Sequence, residues 1–144
     1  MTNRATVAFV FSIIGSSYQM TSLFLAVLVD RSNTPFYYTI SFQSLFLASF
    51  VTVWSASHLL EDWKGRITWP SIILGVGVAN LSTVLITYYV QVTPLPIYSA
   101  TYPSIPATLA LIFGPILNMI GGILGFSAVR QYSREQGHAV LGHT

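Results

Sequence analysis

Three sets of side chains in this chain have the types and spacing for chemistry. His58, Glu61 and Asp62 stand at i, i+3 and i+4, which on a helix puts an imidazole and two carboxylates on one face. That donor set suits a divalent metal. The plainer use is a polar helix end with Lys64 and Arg66 as ion-pair partners, and it is the one expected. His138 and His143, with Glu135, form a looser set in the segment RQYSREQGHAVLGHT, read as a solvated or partner-bound tail. Neither set implies a resident metal. A haem is disfavoured as well, because an internal haem takes two axial ligands and His58 is the only histidine in or near an apolar run. No cofactor is expected.

The third set is neutral. Gln19, Gln43, Asn80 and Asn118 each lie in a separate apolar run. An amide facing hydrocarbon leaves its donors unpaired, at several kcal/mol on a cyclohexane-type scale, about 4–8. These side chains are therefore expected to point inward, at each other, at backbone or at a bound molecule. They would serve helix packing or, alternatively, line a site for a small neutral polar solute.

Other chemistry is missing its residues. With no cysteine in the chain, disulfides, thiolate metal sites, iron–sulfur clusters and cysteine nucleophiles are excluded. There is no Gly-x-Ser-x-Gly, no Walker loop and no His-Glu-x-x-His, and no serine or threonine has an evident base beside it. The expectation is a protein that is not an enzyme.

The elements that hold the amides follow from composition. Of 144 residues, 53% are hydrophobic and 7% charged, against about a quarter charged in ordinary soluble domains. Mean hydropathy is +0.65. The net charge of +2 and a pI near 9.1 do not indicate nucleic acid, since the six Lys and Arg residues are scattered at segment ends without a basic stripe. Four runs free of Asp, Glu, Lys and Arg stand out: Ala5–Val29, Tyr37–Leu60, Ser71–Val92 and Ala107–Val129. Each is close to the ~20 residues with which a helix crosses a bilayer. Hydrocarbon requires every backbone donor and acceptor to be satisfied within the segment, so the runs are read as helices. Arg4 and the first run have the outline of a signal peptide, but the run is long and lacks a clean small-x-small cleavage site, so it is read as a retained span.

The fold expected is all-α: one integral membrane four-helix antiparallel bundle over 1–144, with a tail over 130–144. Arg4, Lys64, Arg66, Arg130 and Arg134 fall on one side of such a chain and only Arg31 on the other. Both termini are thereby expected on the cytoplasmic side, with a prokaryotic plasma membrane as the location. Trp63 and Trp69 flank the inner loop, and Tyr37, Tyr38, Tyr88, Tyr89, Tyr98 and Tyr102 gather at the outer ends, as interfacial aromatics do. On this layout Gln19, Asn80 and Asn118 come near the midplane, with Gln43 about a turn outward. Asn80-Leu81-Ser82 matches a glycosylation pattern but at mid-membrane depth, so it is discarded.

The connections differ in character. Asp30–Pro35 is short, which pairs the first two helices as a hairpin, and Pro70 suits the first turn of the third. Thr93–Ala107 holds four prolines, two tyrosines and no charge. It reads as a lid on the headgroups or, alternatively, as a docking strip. SLFLA occurs at Ser22–Ala26 and Ser44–Ala48, in surroundings too different for a repeat.

Every run carries small residues four apart: Ser12 and Ser16; Ala48, Thr52 and Ala56; Gly75, Ala79 and Thr83; Gly121 and Gly125. Such rows let helix backbones approach closely where no hydrophobic effect operates between spans. Gly75, Ala79, Gly121 and Gly125 are the packing positions expected. Pro115, one turn outward of Asn118, is expected to kink the last helix and free a carbonyl, which favours the alternative of a polar pocket. The layout is similar to small four-span membrane proteins, including accessory subunits of respiratory and oxidase complexes, and the last span ending GFSAVRQY adds to that resemblance. No residue role carries over from it. The function expected is a non-catalytic accessory or structural subunit, partnered by the lipid bilayer and by other membrane subunits or copies of itself, with no nucleic acid. The alternatives are a transporter or channel for a neutral solute lined by Gln19, Asn80 and Asn118, and a structural protein of a viral envelope or shell.

Overall fold

Long uncharged runs punctuated by charge and proline give four helices in the computed structural model: α1 (Asn3–Val29), α2 (Phe36–Glu61), α3 (Thr68–Val92) and α4 (Ile105–Leu141). The structure describes residues 3–29, 36–61, 66–92 and 105–141, with side chains for 4–25, 43–60, 66–86, 89 and 111–135. The loop over 30–35 and most of the Pro/Tyr connection, 93–104, lie outside the described residues, as do Asp62, Trp63 and Lys64.

The chain folds as an up-and-down bundle. Each helix packs on its sequence neighbour, and α4 closes the ring on α1 with the most extensive contact of all. The residues in contact show neighbours running antiparallel. Leu59 of α2 meets Ile73 of α3 near one end, and Leu45 meets Val84 near the other. Pro70 falls in the first turn of α3, where its missing N–H is not needed, and Ser71 N donates to Ile67 O at 3.1 Å to close that turn.

Three described stretches, Arg4–Leu25, Thr68–Ile86 and Leu111–Glu135, are long and apolar enough to cross a membrane. Four were expected. The described part of α2 does not qualify, because Gln43, His58 and the hydroxyls between them dilute its apolar run. α4 also differs from expectation. It runs through Pro115 and on to Leu141 for 37 residues, so the segment read as a tail is helical as far as Leu141. At 1.5 Å per residue, α4 is about 55 Å long.

The core is layered. At the arginine-bearing end Ala5, Ala8, Ala56, Leu59, Ile73 and Ala128 form a closed apolar cluster. At the opposite end Leu23, Leu45 and Val84 form a second. Between them the buried side chains are polar: Ser12, Ser16, Gln19, Ser49, Thr52, Ser55, Asn80 and Asn118. The outer surface is the reverse. Phe24, Leu47, Ile86 and Phe113 are each more than 60% exposed.

Candidate functional site

The polar layer is built from one stripe per helix. On α1, Ser12, Ser16 and Gln19 stand at i, i+4 and i+7 and are all fully buried. On α4, Gly114, Asn118 and Gly121 repeat that spacing against them. The small residues decide whether the amides can meet. A Cβ placed on Gly114 would lie 2.8 Å from Gln19 Cβ and 2.9 Å from the carbonyl oxygen of Gly15. One placed on Gly15 would lie 2.8 Å from the carbonyl oxygen of Gly114 and 2.5 Å from Asn118 Oδ1. Each glycine thus makes room for the amide of the facing helix, which is why an asparagine and helix-weakening glycines share one stretch of α4.

The seam crosses the bundle. Asn80 Nδ2 donates to Gln19 Oε1 at 3.3 Å, joining α3 to α1 across the diagonal. Ser16 Oγ donates to Asn118 Oδ1 at 3.4 Å. Three further buried hydroxyls turn back to their own helix: Ser12 to Ala8 O at 2.9 Å, Ser49 to Leu45 O at 3.0 Å and Thr52 to Ala48 O at 3.0 Å. Three polar atoms of the layer have no partner among the described residues: Gln19 Nε2, Asn118 Nδ2 and Ser55 Oγ. All of these groups are neutral. The layer can give and accept hydrogen bonds, but it supplies no acid or base for proton transfer near pH 7.

Three of the four sequence-singled amides therefore come together. Gln43 does not: it is exposed, eight residues into α2 and away from the buried middle of the helix. The packing positions divide as well. Gly121 faces α1, where an added Cβ would meet Ser12 Oγ and, at 3.0 Å, Ala8 O. Gly125 instead faces Pro70 of α3 and Leu59 of α2, so the two glycines serve different interfaces. Gly75 and Ala79 face outward, and a Cβ on Gly75 would meet nothing within 4 Å. In their place Gly77 packs against Met119 and Pro115, and Gly122 against Leu74. Gly15, Gly77, Gly114 and Gly122 were not singled out by sequence. Their signal is phase: Gly77 precedes Asn80 by three residues, so an inward Asn80 carries Gly77 inward too.

His58 is engaged by aromatic rings. It stacks on Trp69 with centroids 4.7 Å apart and planes 18° apart, and Trp54 meets it edge-on at 4.9 Å. The Glu61 side chain and Asp62, its partners in the metal reading, lie outside the described residues, as do the side chains of His138 and His143. Among the described residues no three of His, Cys, Asp and Glu are grouped to hold a metal. Glu135 accepts a hydrogen bond from Gln131 Nε2 at 3.1 Å.

No family model matches the chain, and no curated protein and no solved structure gives a significant match to it.

Proposed function

We propose that the chain is a multi-pass integral membrane protein, with both termini cytoplasmic, acting as a non-catalytic packing subunit of a larger membrane complex or homo-oligomer. Support for the membrane comes from the polarity of the bundle, with a polar layer buried at its middle and large apolar side chains exposed on its surface. A contiguous apolar surface beyond a few hundred Å² is uncommon on a soluble monomer. Support for the orientation comes from the gathering of basic residues at the ends of α1 and α4 and the start of α3.

The observation that carries the packing role is the outward row Ser71, Gly75, Ala79 and Thr83. The fold leaves this row uncovered at Gly75, although such rows elsewhere in the chain hold its own helices together. Ser71 Oγ and Thr83 Oγ1 donate to Ile67 O and Ala79 O, which keeps the row smooth for a second helix. The test is purification in gentle detergent followed by native mass spectrometry. The wild type is expected to carry stoichiometric subunits, foreign or identical. Gly75→Leu should release the free chain without lowering its unfolding midpoint, because a Cβ there meets nothing. Unchanged assembly in Gly75→Leu and Ala79→Leu would sink the reading.

A second reading, passage of a small neutral solute, is favoured by the two unpartnered donors Gln19 Nε2 and Asn118 Nδ2. It requires flux that Asn118→Ala abolishes while the fold survives.

A further inference from the structure

Beside the arginine-bearing end of the bundle a groove of about 620 Å³ runs between the start of α1 and α4, lined by Arg4, Arg130 and Arg134 together with Ile123, Phe126 and Ser127. We infer that this groove holds the headgroup of an anionic phospholipid, with an acyl chain lying along Ile123 and Phe126. The inference rests on the membrane reading above and adds to it a bound lipid of stated charge.

The groove is arranged for a phosphate ester. Arg4 comes from α1 and is held in place by donating from Nη1 to Ser127 Oγ at 2.6 Å. Arg130 and Arg134 are one turn apart on α4, so they project to the same side. Three arginines from two helices therefore line one groove, and no carboxylate is among the described lining residues. Guanidinium presents paired N–H donors that match phosphate oxygens bidentately. The apolar wall lies on the bilayer side, because Ile123 and Phe126 precede the arginines on α4 by one to three turns. A free anion has no use for that wall, and a lipid does. The volume falls within the range typical of small-molecule sites, about 300–1,000 Å³. A smaller groove of about 380 Å³ adjoins it, sharing Phe126, Arg130 and Arg134 and adding Ile67, just before α3. The two arginines of α4 thus stand as a ridge with a groove on either side. Glu135, the described carboxylate next along α4, is bonded to Gln131 and lines neither groove. Basic pockets between helices on the cytoplasmic side are where acidic headgroups bind.

The test uses the full chain. Membranes are first washed with carbonate: release of the chain would overturn the membrane reading, and the lipid site with it. Chain that stays is reconstituted in nanodiscs of phosphatidylglycerol and phosphatidylcholine, and retained lipid is read by native mass spectrometry. The wild type is expected to retain phosphatidylglycerol at least tenfold over phosphatidylcholine. Arg4→Gln, Arg130→Gln and Arg134→Gln should each lower that ratio about fivefold, with circular dichroism unchanged. Arg66→Gln, at the same end of the bundle but outside both grooves, should leave it unaltered. An equal drop in Arg66→Gln would assign the preference to diffuse charge and overturn the site. So would equal retention of the two lipids, or displacement of the lipid by millimolar inorganic phosphate.

Discussion

Leucine at Gly114 is expected to prise α1 from α4 and lower bundle stability by more than about 3 kcal/mol, the upper part of the range for overpacking. Alanine there should already cost about 1–3 kcal/mol. The reason lies in what the new Cβ meets. At 2.9 Å it finds the Gly15 carbonyl and at 3.4 Å Gln19 Cα, and backbone cannot rotate away as the end of a side chain can. Relief requires the two helices to separate, which also pulls Gln19 and Asn118 out of register with their partners. Alanine at Gly75 is the internal control. It meets nothing within 4 Å and removes a glycine from a helix interior, which favours the helix by up to about 1 kcal/mol. Denaturant titration of the detergent-solubilised chain, followed by tryptophan fluorescence, measures both. Equal stability of Gly114→Leu and wild type would show that the α1–α4 contact is looser than described.

Asn80→Leu should destabilise the bundle by about 1–2 kcal/mol, and adding Gln19→Leu should restore part of the loss. The bond from Asn80 Nδ2 satisfies Gln19 Oε1, while Gln19 Nε2 has no partner among the described residues. Deleting Asn80 therefore strands a fully buried amide at both ends. Interhelical hydrogen bonds in membranes average only about 0.6 kcal/mol, but a stranded buried group costs about 1–3 kcal/mol. The second term is larger, which sets the sign of the recovery. Replacing both partners by apolar groups of similar shape removes the stranding. A double-mutant cycle reads the coupling directly. A double variant that loses the sum of the two single losses would mean that Gln19 and Asn80 do not share a bond.

The helices were legible because four long runs without charge are set apart by connections that carry charge and proline. Three of the amides were legible for a related reason: Gln19, Asn80 and Asn118 sit mid-run, where only the inside of a bundle can satisfy them. Gln43 followed the same rule less well, since a residue near a helix end can be satisfied outside the bundle. The glycines divided according to phase. α3 carries Gly75 and Gly77, which point to opposite sides, and a row of small residues four apart marks only the first. The three-residue step from Gly77 to Asn80 was the better guide, because it ties a glycine to a side chain whose direction is already decided. α4's continuation was hidden by composition: polarity ends a span, but not a helix. The stacking of His58 on Trp69 was not legible at all. The two rings belong to different helices, and their meeting depends on how α2 and α3 pack.

The most intimate contact in the bundle joins its first helix to its last. Gly15 and Gly114, which seat one another, are separated by roughly a hundred residues of chain. Ribosomes add about 5–20 residues per second, so on the order of 5–20 s elapse between the emergence of one glycine and the other. Throughout that interval α1 is complete while Gly15 and Ser16 lack the helix they are made to meet. Birth order and packing order run opposite ways in this chain. A nascent α1 therefore has to be sheltered, by α2 or by other components of the cell, until α4 arrives. Ribosome stalling after α3 should leave it in the state most open to degradation.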